Sequence, residues 1–180
     1  MNEALSKLTR ISRLGALFAK GMMVIIVLGT VVAVAILIAV YIDPNIVADI
    51  TAPADIYNVP VEDIDMAALA KVLSVGMLVL GIVGFRMMYY IYQLFDNIHK
   101  NNTPFTDDNA KYLQRIAVLM IVSTIILPII DGVMQRVVNV EYYSQLGFGG
   151  FPILVALLLF FLSLVFKYGA TLQKESDETL

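Results

Sequence analysis

The stretch from Gly21 to Ile42, GMMVIIVLGTVVAVAILIAVYI, decides the fold of this chain. It contains no charged residue, and its length of about 22 residues exceeds the roughly 20 that a helix needs to cross the hydrocarbon of a bilayer. A cleaved signal peptide has a shorter apolar core of about 7–15 residues. Because backbone amides in lipid must be bonded within their own segment, we expect a retained transmembrane helix here.

The composition extends this expectation to the whole chain. Of 180 residues, 59% are hydrophobic and 15% are charged, and the mean hydropathy is +0.83. A soluble domain is about 45–50% apolar and about 25% charged. Cysteine is absent and His99 is the one histidine, so disulfides and thiolate or multi-histidine metal sites are excluded. The sequence predicts an integral membrane protein without a cofactor or metal.

Three further segments share the length and apolar character of the first. The sequence therefore predicts one all-α membrane domain over residues 1–180, an up-down bundle of four transmembrane helices. Its parts are the spans at about 21–42, 72–92, 116–138 and 149–168, the outer loop 43–70, the inner hairpin 93–115 and a polar tail at 169–180, of which residues 173–180 are expected to be frayed.

Lysine and arginine predict the orientation. Nine of the twelve fall on one side of the predicted membrane, two on the other, and Arg86 within a span. The side richer in basic residues is normally cytoplasmic, so we expect both termini in the cytoplasm and the protein in the plasma membrane. The basic N-terminal segment fits two structures, a surface amphipathic helix or a helical lead-in to the first span.

The outer loop is acidic. It has six Asp or Glu residues and no basic residue before Lys71. The acidic residues do not have the spacing of a calcium-binding loop. We therefore expect a solvated loop rather than a metal site.

The inner hairpin carries the most information. Residues 93–117 read QLFDNIHKNNTPFTDDNAKYLQRIA. Pro104 and the two preceding asparagines predict a turn, Thr106 is a good N-cap, and Asn109 is placed to reach back toward that cap. The two helices should project about 12 Å beyond the membrane, from roughly eight residues at 1.5 Å each. His99, near the tip, is expected to be solvated.

This stretch resembles a family of prokaryotic four-helix membrane proteins of unknown function, family 2975 of the domains of unknown function. The position near 102–103 departs from the family pattern, in which a small residue, often glycine, is usual. Members often lie beside genes for very small helix-turn-helix DNA-binding proteins, so the resemblance implies a membrane partner for such a regulator. The residues that carry the resemblance are Phe95, Asn101, Asn102, Pro104, Phe105, Thr106, Asn109, Leu113 and Arg115.

Two interpretations of the hairpin remain open and are compatible. In the structural one, the residues form a turn and a helix cap, with Phe105 packing back on its own helix as a staple. In the functional one, the hairpin is a docking surface that binds or sequesters a small cytoplasmic helix-turn-helix regulator, and the chain itself binds no nucleic acid. The candidate partner-binding residues are Phe95, Asn102, Pro104, Phe105, Asn109 and Arg115.

Two ionisable residues within the spans support a different hypothesis, a small oligomeric transporter or channel subunit. Arg86 should lie about 9 Å and Asp131 about 22 Å from the inner surface. That separation is too large for an ion pair, so Arg86 should extend toward the inner headgroups and Asp131 toward water or Arg136. No nucleophile, zinc or phosphate-loop motif is present in the sequence, so we expect no enzyme. Whether the chain forms a homo-oligomer is left open.

Overall fold

The computed structural model describes residues 3–47, 65–138 and 150–178. Within them are four long helices: α1 (Glu3–Ile42), α2 (Met66–Asn101), α3 (Asp107–Val138) and α4 (Phe151–Glu178). A short 3₁₀ helix, Pro44–Val47, follows α1. These ranges contain no strand, which confirms the all-α prediction. The predicted outer loop 43–70 is described only at its two ends, because residues 48–64 lie outside the described ranges.

Each of these four helices is long and apolar enough to cross a membrane. Large apolar side chains point outward along them; Leu17 and Phe161, for example, are 67% and 62% exposed. A soluble protein of this size buries most such side chains, whereas lipid accepts them. The predicted multi-pass membrane protein is therefore confirmed.

The helices are longer than the predicted spans. Helix α1 is continuous from Glu3, as expected of a lead-in to the first span rather than of a separate surface helix. Helix α4 continues to Glu178, so the prediction of a frayed tail is wrong for residues 173–178. Helical hydrogen bonds extend through this polar stretch, although its side chains are mostly exposed.

Two acidic residues at the ends of the outer loop cap helices. The Asp65 carboxylate accepts a hydrogen bond of 2.9 Å from the Ala68 amide and is the N-cap of α2. The Asp43 carboxylate accepts one of 3.0 Å from the Asn45 amide. Capping satisfies amides that the first turn of a helix leaves unbonded, so these two acids have a structural role.

Helix α2 packs against α1 along nearly its whole length. The side-chain contacts pair residues in opposite order along the two helices, from the N-terminus of α1 to its C-terminus. The pairs are Thr9 with Asn102, Gly15 with Phe95, Lys20 with Tyr92, Thr30 with Gly81, and Tyr41 with Lys71.

Helix α3 packs against α2 and against α4. Near the hairpin, the rings of Tyr90 and Tyr112 are stacked with centroids 6.3 Å apart. Toward the other end, Leu69 and Met134 form a small buried cluster. The contacts between α2 and α3 thus join the hairpin to a thin core at the far end.

Candidate functional site

The hairpin between α2 and α3 begins with a left-handed residue. Helix α2 ends at Asn101, and Asn102 follows with φ 54°, the one non-glycine residue with positive φ in the described ranges. Glycine is the usual residue at such a helix end, and asparagine is the next best tolerated. This backbone conformation gives a physical reason for asparagine at position 102.

A side-chain cap begins α3, as predicted. The Thr106 hydroxyl accepts a hydrogen bond of 3.2 Å from the Asn109 amide. The Asn109 side chain does reach back, but past the cap: its Nδ2 donates to the Pro104 carbonyl at 2.9 Å. The Thr106 amide donates to the same carbonyl at 3.0 Å. Pro104 is thus held by two hydrogen bonds from the first turn of α3.

A network of amide side chains locks the two helices together. Asn97 Nδ2 donates to Thr106 Oγ1 and to Asn109 Oδ1, each at 2.9 Å, and Asn101 Nδ2 donates to Asn97 Oδ1 at 2.7 Å. Asn109 is fully buried, and both ends of its amide are bonded, which removes most of the cost of burying it. We call Asn97, Asn101, Thr106 and Asn109 the amide network.

The sequence analysis missed Asn97. The sequence feature that could have indicated Asn97 is its spacing of four residues from Asn101, which places two side-chain amides on one face at the end of α2. That spacing does not show which residues of α3 lie opposite, so the network could not be assembled from the sequence.

The hairpin also contacts α1. Thr9 Oγ1 donates to Asn102 Oδ1 at 3.2 Å. The ring of Phe95 lies directly on Gly15, where an added Cβ would be only 2.8 Å from two ring atoms. Glycine at this position lets the two helices approach closely.

Helix α4 contacts the hairpin from the other side. The rings of Phe105 and Phe166 meet edge to face with centroids 5.7 Å apart, and Phe105 covers Gly169. The Thr103 hydroxyl donates to Gln173 Oε1 at 3.2 Å. Phe105 therefore packs on another helix, and the expected staple with its own helix stays a prediction.

The six candidate partner-binding residues divide by exposure. Asn102, Phe105 and Arg115 are exposed. Phe95 and Pro104 are half-buried and Asn109 is fully buried, so these three hold the hairpin in shape. A role in binding a partner stays a prediction, and it now concerns the three exposed residues, Asn102, Phe105 and Arg115.

Arg86 and Arg115 meet at one tyrosine, an arrangement that the sequence analysis did not foresee. Arg86 donates to the Tyr90 hydroxyl at 3.3 Å, and its guanidinium carbon is 5.6 Å from the centroid of that ring. The guanidinium carbon of Arg115 is 5.2 Å from the same centroid. Both distances fall within the range of cation–π attraction.

Asp131 and His99 are more buried than predicted. Asp131 is 6% exposed rather than open to water, and its neighbour is Gln135, which donates to Oδ2 at 3.4 Å, instead of Arg136. Its Oδ1 is buried without a hydrogen-bond partner. Within the described ranges no ion pair joins it to Arg86. His99 is half-buried, and its Nδ1 is likewise buried and unbonded.

An apolar groove of about 440 Å³ lies between α2 and α3, on the side away from the hairpin. Valines of α2 and isoleucines of α3 line it, and Lys71 lies among the lining residues. Lys71 also contacts the ring of Tyr41, 5.0 Å from its centroid. The surface of the groove is entirely apolar, so the Lys71 amine does not face it.

Four apolar helices joined through a hydrogen-bonded hairpin define a multi-pass, all-α membrane protein. The chain belongs to the family described as Protein of unknown function (DUF2975), whose model matches residues 45–180. The matched region contains α2, the hairpin, α3 and α4, which confirms the resemblance carried by residues 93–117. No curated protein and no solved structure matches the chain.

Proposed function

We propose that this protein is a non-enzymatic membrane protein that holds a small cytoplasmic regulator of the helix-turn-helix class at the plasma membrane. In this proposal the helices cross the membrane as an up-down bundle with both termini and the hairpin in the cytoplasm. The excess of Lys and Arg in the N-terminal segment, the hairpin and the tail supports this orientation.

The observation that carries the proposal is the position of the hairpin tip between the two terminal helices. Asn102 bonds to Thr9 of α1, and Thr103 bonds to Gln173 of α4. A change in the arrangement of either helix would therefore alter the shape of the tip. A partner that fits one shape is released when the other is populated.

The exposed residues of the tip give the proposed contact. Phe105 is 40% exposed and supplies an apolar anchor among polar neighbours, which is the pattern of a small interaction site. Arg115 and Asn102 supply a charge and an amide. Phe95, Pro104 and Asn109 act as positioning residues, since their side chains are held within the hairpin.

The test is a crosslinking pull-down of the full chain from native membranes. The test variant is Phe105→Ala with Arg115→Ala, and the matched control is Phe161→Ala with Arg136→Ala. Both pairs remove one exposed Phe and one exposed Arg, but the control pair lies away from the hairpin. We expect wild type and control to capture a small DNA-binding protein. The hairpin variant should fail to capture it although it inserts into the membrane as well as wild type does.

Retention of the regulator by the hairpin variant would overturn the proposed surface. Because Phe105 also packs on Phe166, the variant needs a check of its helix content and protease resistance. Asn102→Gly, which keeps the left-handed backbone conformation and removes only the exposed side-chain amide, provides a milder variant of the same surface. Its capture of the regulator should fall without any change in folding.

A small oligomeric transporter or channel subunit is the second candidate. The observation in its favour is the buried, unpartnered Oδ1 of Asp131, because intramembrane carboxylates often belong to ion or proton pathways. Arg86 contacts Tyr90 instead, so the two residues would act separately. Flux into proteoliposomes that is lost in Asp131→Asn and in Arg86→Gln would favour this candidate.

A further inference from the structure

Two positive charges from different helices share one aromatic ring. Arg86 of α2 and Arg115 of α3 both lie within 6 Å of the Tyr90 centroid, and Tyr112 stacks on that ring. The Tyr90 hydroxyl fixes Arg86 by a hydrogen bond. We call Arg86, Tyr90, Tyr112 and Arg115 the arginine–tyrosine cluster.

Neither guanidinium has a carboxylate partner in the described ranges. The ion pairs there join Lys7 with Glu3, Lys100 with Asp96, and Lys111 with Asp108. Like charges brought to one place repel each other, and the repulsion is stronger beside lipid than in water. Both arginines are exposed, so an anion can reach them from outside the protein.

The chemistry of the cluster selects the anion. A guanidinium presents a planar fork of N–H donors that matches the oxygens of a phosphate, and two forks bind one phosphate more firmly than one does. Contact with the same ring holds both guanidinium carbons within 6 Å of one point, the Tyr90 centroid. A phosphate therefore fits the cluster better than a halide or a single carboxylate.

The position of the cluster selects the source of that phosphate. Arg115 lies about 12 Å along α3 from the first residue of that helix, at 1.5 Å per residue. Tyr90 and Tyr112 belong to the same cluster, and tyrosines are enriched at the headgroup level of a membrane. Ile82, one helical turn from Arg86 on the same face, is 66% exposed. Acyl chains would contact Ile82 while the headgroup contacts the arginines.

We propose that Arg86 and Arg115 together bind the phosphate of an anionic phospholipid in the leaflet on the hairpin side. Tyr90 is the positioning residue that aims both guanidinium groups. The site gives Arg86 a counter-charge without any partner inside the protein. It goes beyond the proposed regulator binding. The two proposals share Arg115, whereas Arg86 belongs to the lipid site alone because it lies outside the hairpin tip.

The experiment is native mass spectrometry of the detergent-solubilised full chain. Phosphatidylglycerol, phosphatidylcholine or inorganic phosphate is added in parallel series. The test variants are Arg86→Gln and Arg115→Gln, and the control is Lys100→Gln, which removes an exposed hairpin charge already paired with Asp96. We expect the wild-type protein to retain one phosphatidylglycerol in preference to phosphatidylcholine. In each test variant the affinity for phosphatidylglycerol should fall about tenfold.

Three results would overturn the proposal. Equal retention of the two lipids would mean that the protein does not recognise the net negative charge of the headgroup. Unchanged retention in both test variants would place the lipid elsewhere. Binding of inorganic phosphate without preference for the lipid would assign the cluster to a soluble anion. Arg86→Lys sharpens the result, because it keeps the charge but loses the fork, and its retention should fall between wild type and Arg86→Gln.

The Arg86 variant distinguishes the failure of one proposal from the failure of the other. Arg86→Gln should leave capture of the regulator unchanged while it weakens lipid retention. Loss of both in this variant, with unchanged helix content and thermal midpoint, would mean that the lipid is part of the docking surface and that the regulator site is larger than the tip.

Discussion

At the hairpin end of the molecule the buried Asn109 amide is bonded at both its oxygen and its nitrogen, and His99 Nδ1 is an unbonded buried atom there. Toward the other end the buried Asp131 carboxylate has one long hydrogen bond of 3.4 Å and an oxygen with no partner. Packing differs in the same direction. Rings lie against glycines at the hairpin, and a groove of about 440 Å³ remains between α2 and α3 away from it. Among the described residues, a side-chain hydrogen-bond network joins the helices at one end, and a groove is left between α2 and α3 toward the other.

This difference indicates where the fold is specified. Between apolar helices in lipid there is little hydrophobic driving force, so close packing and hydrogen bonds set the arrangement. The hairpin supplies both, and it reaches all the other helices. We therefore expect substitutions at the hairpin to cost far more than substitutions of equal size beside the groove.

The largest effect should come from Asn109→Ala. It removes two buried hydrogen bonds and leaves one N–H of Asn97 without a partner. We expect the free energy of unfolding to fall by about 2–4 kcal/mol. The measurement is SDS titration of the detergent-solubilised protein, followed by far-ultraviolet circular dichroism.

Asn101→Ala is the matched control for this prediction. It removes one amide of the same network, but this amide is exposed and water can replace its hydrogen bond. Its cost should be about 0.5 kcal/mol. Equal losses in the two variants would mean that burial of Asn109 contributes nothing to the stability of the hairpin.

The next largest effect should come from Gly15→Ala. The new Cβ would lie 2.8 Å from the ring of Phe95, so the ring or the helix must move. Such overpacking costs about 1–3 kcal/mol, and the higher helix propensity of alanine returns at most about 1 kcal/mol. We expect the free energy of unfolding to fall by about 1–2 kcal/mol in the same titration.

Gly29→Ala, in the same helix, serves as the control. Nothing lies within 4 Å of its added Cβ, so only the gain in helix propensity remains, and stability should rise by up to about 1 kcal/mol. A gain of the same size in Gly15→Ala would show that α1 and α2 do not approach closely at Phe95.

Most of the fold could be predicted from the sequence, because apolar runs of membrane length permit little except helices. The N-cap at Thr106 was also readable, since capping depends on neighbours a few residues away. The contacts of Phe105 with Phe166 and of Arg115 with Tyr90 could not be predicted from the sequence. They depend on which faces of separate helices meet, and a uniformly apolar span gives no periodic signal for its facing side.

The smallest effect should come from Val79→Leu, beside the groove. Val79 is 38% exposed and lines the groove. In water, burying one more methylene would contribute about 0.8 kcal/mol, but here the added carbon moves from contact with lipid to contact with protein, which are similarly apolar. We expect the free energy of unfolding to stay within about 0.5 kcal/mol of wild type. A fall in the free energy of unfolding of more than about 1 kcal/mol would mean that the groove is already filled in the folded protein. The two ends of the helices would then differ in what fills the space between them and not in how closely they pack.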